Sequence, residues 1–266
     1  MATKKKQPIT IAAQLYTLRR FLDSPEKLPG TFKKLKKAGY DAAQISGVCD
    51  IPAAELRKIM TDAGVKPIGA HIALARFRDD EFKKTMDDCH EWGIRYAAIP
   101  WLEAETFKTL DDWEKVFREF ESIAKKAAKE GIIIQYHNHC FEFTKTGVQD
   151  GKGGKTLLDI LYDSTTVLQS EIDFGWVARA NQSPVHWAEK MKGRMDQVHF
   201  KDWGIDIWEP IWRALGEGGI DWPAVAKTCL QGGTHTFIVE QDECPATNDP
   251  FKSLEISRDY LRGFLG

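Results

Sequence analysis

Short apolar runs alternate with longer amphipathic segments along almost the whole chain. Eight of these runs, rich in alanine and β-branched residues, are typical of strands buried on both faces. They begin near residues 10, 40, 65, 96, 131, 166, 195 and 235. The segments between them have apolar residues at helical spacing, and many end at a glycine. The predicted helices cover residues 32–38, 53–63, 79–92, 111–129, 156–162, 184–191, a segment capped by Asp221, and residues 251–264.

This alternation predicts one α/β domain over residues 1–266, with a flexible tail at residues 1–8. Repeated strand–helix units favour parallel strands with right-handed crossovers, and eight of them close into a (β/α)8 TIM barrel at about this length. A doubly wound open sheet is the alternative, but no G-x-G-x-x-G motif follows the first strand. The glycine-rich segment 151–156 lacks the spacing of a phosphate-binding loop and is predicted to be a flexible surface loop.

Composition excludes several classes of function. The chain has 266 residues and a net charge of −2, which gives no basic field for nucleic acid. No apolar run approaches the roughly 20 residues of a membrane helix. Five widely spaced cysteines without a C-x-x-C pair favour reduced thiols and a cytoplasmic protein, although a removed signal sequence is compatible with the N-terminus. A homo-oligomer is also compatible with this sequence.

The fifth predicted strand ends in an unusual group of polar residues. It runs into His137, His139 and Glu142, and buried strands seldom end in so many titratable groups without a function. In a sheet built from βα units, ligands bind at the carboxyl ends of the strands. We expect at least one of the two histidines to reach a pocket there.

Four of the later strands each have a candidate metal ligand at the carboxyl end, and these ends lie together at the mouth of the barrel. The four residues are Glu142, Asp173, His199 and Glu240. Three carboxylates held together would repel each other, and a divalent cation is the simplest relief. Oxygen and imidazole donors suit Mn²⁺, Mg²⁺ or Co²⁺ with open positions for substrate better than a closed structural zinc site. The sequence therefore predicts one divalent ion, with Mn²⁺ favoured and Mg²⁺, Co²⁺ or Zn²⁺ as alternatives.

The same segments carry a resemblance to a known family. The chain resembles the sugar phosphate isomerase/epimerase family of xylose isomerase-like TIM barrels over nearly its whole length. The matching pieces are residues 39–41, 69–71, 136–142, Asp173, residues 196–202, residues 216–218 and Glu240. The resemblance implies one divalent metal held by Glu142, Asp173, His199 and Glu240, with Glu142 and Glu240 as an acid/base pair.

Two departures leave the reaction open. Sugar epimerases of the family tend to have a histidine where this chain has Trp176, and many relatives have an acid after strand two where this chain has Gln44 and its neighbours. We expect a metal-dependent isomerase or epimerase that acts on a ketose or keto-sugar through an enediolate. The alternative is a lyase or dehydratase that eliminates a β-substituent from a keto-sugar or 3-keto-glycoside. A sugar-binding barrel without activity is less favoured.

Several further residues are predicted at the site. Lys201 is a candidate electrophile or proton carrier, with an ion pair to Asp202 or Glu217 as the structural alternative. The small-molecule sugar is expected to lack a phosphate, since no cluster of arginine and serine is evident. The candidate substrate-binding residues are His71, Trp101, His137, His139, Trp176, Trp203 and Gln44. Each tryptophan in this set could equally be a packing residue.

Overall fold

The computed structural model describes residues 8–146 and 154–266, and its centre is a nearly closed barrel of eight parallel strands. The barrel strands are β1 (Thr10–Gln14), β2 (Ala42–Ile45), β3 (Lys66–His71), β4 (Tyr96–Ile99), β5 (Ile133–His137), β6 (Gln169–Glu171), β7 (Gln197–Phe200) and β10 (Thr236–Val239). Between β7 and β10 in the chain, β8 (Asp202–Asp206) and β9 (Glu209–Arg213) form a separate hairpin. The order of the barrel strands is β6-β5-β4-β3-β2-β1-β10-β7. The backbone N–H of His199 donates to Ile172 O at 2.9 Å and brings β7 against the end of β6. The predicted TIM barrel is confirmed.

Helices surround the barrel. They are α1 (Leu28–Lys37), α2 (Ala53–Asp62), α3 (Glu81–Trp92), α4 (Leu110–Lys129), α5 (Leu157–Ser164), α6 (Phe174–Arg179), α7 (Pro184–Lys190), α8 (Trp222–Gln231) and α9 (Pro250–Leu265). The predicted cap is present, because the Asp221 side chain accepts the Ala224 N–H at the start of α8. Helix α1 begins four residues earlier than predicted. Pro29, which the prediction places before the helix, lies in its first turn, where the missing N–H costs no hydrogen bond.

The inner face of the barrel changes from apolar to polar along the strands. Ala12, Ala42 and Ile238 form a small apolar cluster of their own. Since side chains two residues apart in a strand share a face, the next inward positions are Gln14, Gln44 and Glu240. The polar layer therefore lies at the carboxyl ends of the strands, directly above an apolar floor.

The hairpin of β8 and β9 and the short helix α6 were absent from the sequence-based prediction. Trp203 pairs with Trp212 across the hairpin. Its connection is Ile207 and Trp208, and Ile207 has a φ of 56°. The hairpin leaves the barrel directly after β7, so it carries Trp212 over the mouth.

Two predictions fall largely on residues that the structure does not describe. These are the tail at residues 1–8 and the glycine-rich segment 151–156, of which residues 1–7 and 151–153 lie outside the described ranges. Within residues 8–146 and 154–266, no helix is long and apolar enough to cross a membrane.

Candidate active site

A cavity of about 440 Å³ opens at the carboxyl ends of the barrel strands. Its lining combines aromatic, cationic and carboxylate side chains. They are Tyr16, Arg19, Ser46, His71, Pro100, Trp101, His137, His139, Trp176, Lys201, Trp212, Glu240, Asp242 and Glu243. Both histidines of the fifth strand reach this cavity, as do the predicted residues His71, Trp101, Trp176, Lys201 and Glu240.

Four buried side chains meet at the floor of the cavity. His137, Asp173, His199 and Glu240 each offer one donor atom, and these atoms lie within 4.8 Å of one another. Nδ1 of His199 is 2.9 Å from Oε2 of Glu240, and Nε2 of His137 is 3.9 Å from Oδ2 of Asp173. The structure thus brings together three of the four predicted metal ligands, with His137 as an additional donor.

This donor set fits a divalent cation. Oδ2 of Asp173 is buried without a hydrogen-bond partner among the described residues. Burial and the nearby Glu240 raise the pKa of Asp173 to about 7. Burial lowers the pKa of His199, but Glu171 and Glu240 outweigh it and raise the value to about 10. A carboxylate that resists ionisation beside an imidazole that retains a proton is the pattern expected where a cation would supply the missing positive charge.

Glu142 is not one of these four donors. It sits on a single 3₁₀ turn, Phe141–Phe143, and its Oε1 accepts the Tyr136 hydroxyl at 2.7 Å. The backbone N–H of His139 donates to both of its carboxylate oxygens, at 3.1 and 3.0 Å. Burial raises the pKa of Glu142 to about 7. Its predicted roles as metal ligand and acid/base group remain predictions.

Lys201 is buried at the cavity wall. Its Nζ atom lies 2.8 Å from Oδ2 of Asp242 and 3.6 Å from Oε2 of Glu240, so its partner is neither Asp202 nor Glu217. The Asp202 carboxylate instead accepts backbone N–H groups of the 216–218 segment. Burial lowers the pKa of Lys201, but Glu240 and the other carboxylates outweigh it and raise the value above the ordinary range. Lys201 is therefore a cation at neutral pH.

Aromatic rings enclose the Lys201 ammonium. Its Nζ lies 5.0 Å from the ring centre of Trp176 and 4.7 Å from that of Trp212, which suits a cation–π contact. The guanidinium of Arg179 lies 5.5 Å from the rings of Trp176, Trp203 and Trp212 and holds the hairpin against α6. Trp203 lines a separate cleft beside Ala178 rather than the main cavity. Its role in substrate binding remains a prediction.

Comparison with known proteins decides the family. Residues 32–262 match the model of the xylose isomerase-like TIM barrel family. The chain belongs to this family. The inosose dehydratase of Bacillus thuringiensis (strain Al Hakam) is 23% identical over 219 residues, in a match that covers 70% of this chain and 70% of that one. The match to this xylose isomerase-like family confirms the resemblance seen in the sequence.

Solved structures support the same fold. A sugar phosphate isomerase/epimerase from Parabacteroides distasonis ATCC 8503 has a TM-score of 0.82 at 22% identity, covering 100% of this chain and 98% of that one. A xylose isomerase-like barrel from Mycobacterium smegmatis, in complex with magnesium, has a TM-score of 0.72 at 15% identity, covering 99% and 98%. At these identities the likeness establishes the fold alone.

In this xylose isomerase-like barrel, sequence reasoning missed Glu171. It is fully buried and belongs to a second set of close donor atoms with His71, His137 and His199. Burial raises its pKa, but His199 and His71 outweigh it and hold the pKa well below the usual range. Glu171 ends β6 and lies two residues before Asp173, whose backbone is also extended. This spacing places both side chains on one face, a period-2 signal present in the sequence.

Gln44 was predicted to bind substrate. In this barrel it is fully buried beneath the cavity, and its Nε2 donates to Oε1 of Glu171 at 2.5 Å. Its Oε1 accepts from Nε2 of Gln14 at 2.7 Å and lies 2.7 Å from Nε2 of His199. The Gln44 amide is thus already engaged with three other side chains. Direct contact between Gln44 and substrate remains a prediction.

Proposed function

We propose that the protein is a divalent-metal-dependent carbon–oxygen lyase that acts on a keto-sugar. It removes a proton beside the carbonyl and then expels an oxygen substituent from the β-carbon. The observation that carries this proposal is Lys201, a buried cation that faces the cavity 3.6 Å from Glu240. Sequence reasoning ranked isomerisation first, with Glu142 and Glu240 as paired carboxylates. The separate hydrogen bonding of Glu142 favours Lys201 as the partner of Glu240.

The proposed cation ligands are Asp173, His199 and Glu240, with His137 as the fourth donor. A divalent cation bound there supplies positive charge that polarises a substrate carbonyl oxygen. Burial opposes ionisation of Glu240, but Lys201 and His199 outweigh it and keep the pKa of Glu240 well below its usual range. Asp173 and Glu240 therefore have different tasks: Asp173 holds the cation, while Glu240 also faces substrate.

We assign Glu240 as the base and Lys201 as the acid. Glu240 takes the proton from the carbon beside the carbonyl, and that electron pair forms the new carbon–carbon double bond. The β carbon–oxygen bond breaks with its pair on oxygen, which receives a proton from Nζ of Lys201. Because the two groups lie 3.6 Å apart, the proton gained by Glu240 can return to Lys201 and restore the site.

The tryptophans support a ring substrate. Trp101, Trp176 and Trp212 line the cavity, and aromatic rings suit the apolar faces of a sugar ring. Nη1 of Arg19 donates to the backbone carbonyls of Tyr16 and Asp242 at 3.0 and 2.8 Å, so that atom is already engaged. We therefore favour an unphosphorylated keto-sugar or keto-glycoside. The relatives named inosose dehydratase support a dehydration.

Isomerisation or epimerisation is the second candidate. It is favoured by Glu142, a buried carboxyl group whose pKa of about 7 suits proton transfer near neutral pH. This reaction shares the first proton abstraction with the lyase reaction. It then needs Glu142 to leave Tyr136 and the His139 N–H and to return a proton to the planar intermediate.

The two reactions are separated by NMR in D₂O. The Mn²⁺- and Mg²⁺-supplemented protein is screened against ketoses, keto-cyclitols and 3-keto-glycosides, with His199→Ala as the inactive control. The lyase proposal expects deuterium exchange at one carbon together with an unsaturated product and a released β-substituent. Exchange with only a stereoisomer or a shifted carbonyl as product would move epimerisation or isomerisation into first place. Binding without exchange or product would favour the non-catalytic barrel.

A further inference from the structure

One carboxylate contacts three imidazole rings beneath the proposed cation site. Oε2 of Glu171 lies 2.7 Å from Nε2 of His71, 3.2 Å from Nε2 of His199 and 3.5 Å from Nδ1 of His137. Oε1 accepts from the side-chain amide of Gln44. Glu171 is fully buried and does not line the cavity, so its partners are these side chains rather than substrate.

Two of these rings turn their other nitrogen toward the donor set. His199 has Nε2 near Glu171 and Nδ1 2.9 Å from Glu240. His137 has Nδ1 near Glu171 and Nε2 3.9 Å from Asp173. A neutral imidazole binds a cation through the nitrogen that carries no hydrogen. Cation binding by both rings therefore requires the hydrogen to be on the nitrogen that faces Glu171.

Gln44 reinforces this arrangement at His199. An ionised carboxylate only accepts hydrogen bonds, so Gln44 turns its NH₂ group toward Glu171 and its oxygen toward His199. Nε2 of Gln14 donates to the same oxygen, which fixes the orientation of the amide from a second side. Nε2 of His199 is then surrounded by acceptors and must donate, so a cation that displaces the proton between Nδ1 and Glu240 finds the lone pair on Nδ1.

We propose that Glu171 is a positioning residue that sets the tautomers of His137 and His199 for cation binding. Its Oε2 atom lies beside the ring nitrogens of both histidines, at 3.2 Å for His199 and 3.5 Å for His137, and Nδ1 of His137 has no hydrogen-bond partner among the described residues. Through Gln44, Glu171 acts a second time on His199. This inference rests on the cation donor set of the proposed function and deepens it. Partners of this kind orient the ligand ring and raise its basicity, and their loss typically weakens metal affinity about 10–100-fold.

The first test measures binding of Mn²⁺ alone by titration calorimetry, without substrate. Glu171→Gln keeps the shape of the side chain and removes its charge. Glu121→Gln is the matched control, because Glu121 is also a buried carboxylate and accepts backbone N–H groups of Thr166 and Leu168, away from the cavity. We expect Mn²⁺ affinity to fall about 10–100-fold in Glu171→Gln at unchanged stoichiometry, and to stay unchanged in Glu121→Gln. Equal affinity in wild type and Glu171→Gln would overturn the inference.

The second test distinguishes a positioning residue from a ligand. Glu171, His71, His137 and His199 could instead hold the cation themselves. At saturating Co²⁺, the visible spectrum of Glu171→Gln should keep the wild-type band positions and intensities. A spectrum of different coordination number would make Glu171 a ligand and overturn the positioning role. In the Mg²⁺-loaded wild type, NMR of the histidine ring nitrogens should place the hydrogen of His199 on Nε2; a hydrogen on Nδ1 would contradict it.

A second variant covers the case that Glu171→Gln does not fold. Gln44→Met removes the amide that links Glu171 to His199 and leaves the charge of the site unchanged. Gln44→Met should also weaken Mn²⁺ binding. Wild-type affinity in this variant would contradict the role of Gln44 in linking Glu171 to His199. If the wild type itself binds none of the divalent ions, the donor set of the proposed function fails and the inference fails with it. A wild type that binds Mn²⁺ but turns over no keto-sugar would contradict the proposed reaction alone.

Discussion

Nδ1 of His199 lies 2.9 Å from Oε2 of Glu240, and both side chains are buried. His199 belongs to β7, while Glu240 directly follows β10, so this contact joins two neighbouring barrel strands at their carboxyl ends. Without a cation, a proton must lie between the two groups, which is why Glu240 contributes to the raised pKa of His199. A cation in the donor set would displace that proton.

His199→Ala is therefore expected to abolish turnover and to weaken Mn²⁺ binding by more than the roughly 10–100-fold typical of an outer partner. The barrel should remain folded, because the ring lies in the polar layer above the apolar floor. Metal analysis after gel filtration and circular dichroism measure the two effects. His186→Ala, which removes an exposed histidine on α7, serves as the control. Equal, tight metal binding in His199→Ala would refute the donor set.

The acid and base assignments give opposite expectations for two further variants. If Lys201 protonates the leaving oxygen, Lys201→Met should lose about 10²–10⁴-fold in kcat, whereas Glu142→Gln should retain most of it. If Glu142 and Glu240 form the acid/base pair, Glu142→Gln should lose activity even at saturating Mn²⁺. Steady-state kinetics of both variants at several Mn²⁺ concentrations decide between the assignments. Restoration of Glu142→Gln by Mn²⁺ would leave Glu142 as a ligand only.

Trp212 and Trp176 are both expected to pack against the substrate ring. Loss of either ring removes one aromatic contact, worth about 0.5–1.5 kcal/mol, so Trp212→Ala and Trp176→Ala should each raise KM roughly 2–10-fold and lower kcat less. Trp208→Ala is the matched control, because Trp208 is on the same hairpin but is 87% exposed at its tip. A collapse of kcat alone in the cavity variants would contradict a binding role.

The sequence was sufficient for the barrel because its strands are buried on both faces and leave a clear hydrophobic signal. It also predicted that Asp173, His199 and Glu240 come together, since His199 lies on β7, Glu240 directly follows β10 and Asp173 lies two residues beyond β6. Near a strand end, backbone geometry fixes the direction of the side chain. The sequence did not predict the hydrogen bonds that Glu142 accepts from the Tyr136 hydroxyl and the His139 N–H, because that residue lies on a 3₁₀ turn rather than on a strand.

The hairpin was missed for a different reason. Its apolar residues do not face a core: Ile205 is 60% exposed and Ile207 is 82% exposed. The hydrophobic pattern of such a segment carries no period set by burial. Its position depends on Arg179, which contacts Trp203 and Trp212 of the hairpin, two tryptophans distant from it in sequence. Sequence patterns of short range do not encode this kind of contact.

Gly175 should prove necessary for the position of Lys201. A Cβ atom at residue 175 would lie 2.1 Å from the backbone oxygen of Lys201, so α6 and β7 approach more closely than any side chain allows. Gly175→Ala is expected to destabilise the protein by about 1–3 kcal/mol in urea denaturation. In Gly30→Ala the new methyl group meets nothing within 4 Å on helix α1, and stability should be unchanged or higher. Similar stabilities for the two variants would contradict this close approach.

The raised pKa of Glu142 predicts how stability depends on pH. Burial raises the pKa to about 7 in the folded protein, compared with the ordinary glutamate value of 4.5 in the unfolded chain. The folded state therefore binds more protons between pH 4.5 and 7, and its stability falls as pH rises through this window. A shift of this size lowers the free energy of unfolding by about 3 kcal/mol, and this loss is complete above pH 7.

Urea denaturation of the metal-free protein at pH values from 4.5 to 8 measures this effect. Glu142→Gln cannot titrate at this position, so its stability should fall less steeply over the same window than that of the wild type. At pH 8 the variant should be at least as stable as the wild type, because it no longer buries a charge. Parallel pH profiles for the two proteins would show that Glu142 is already ionised near its ordinary pKa, and they would remove the main support for Glu142 as a proton-transfer group.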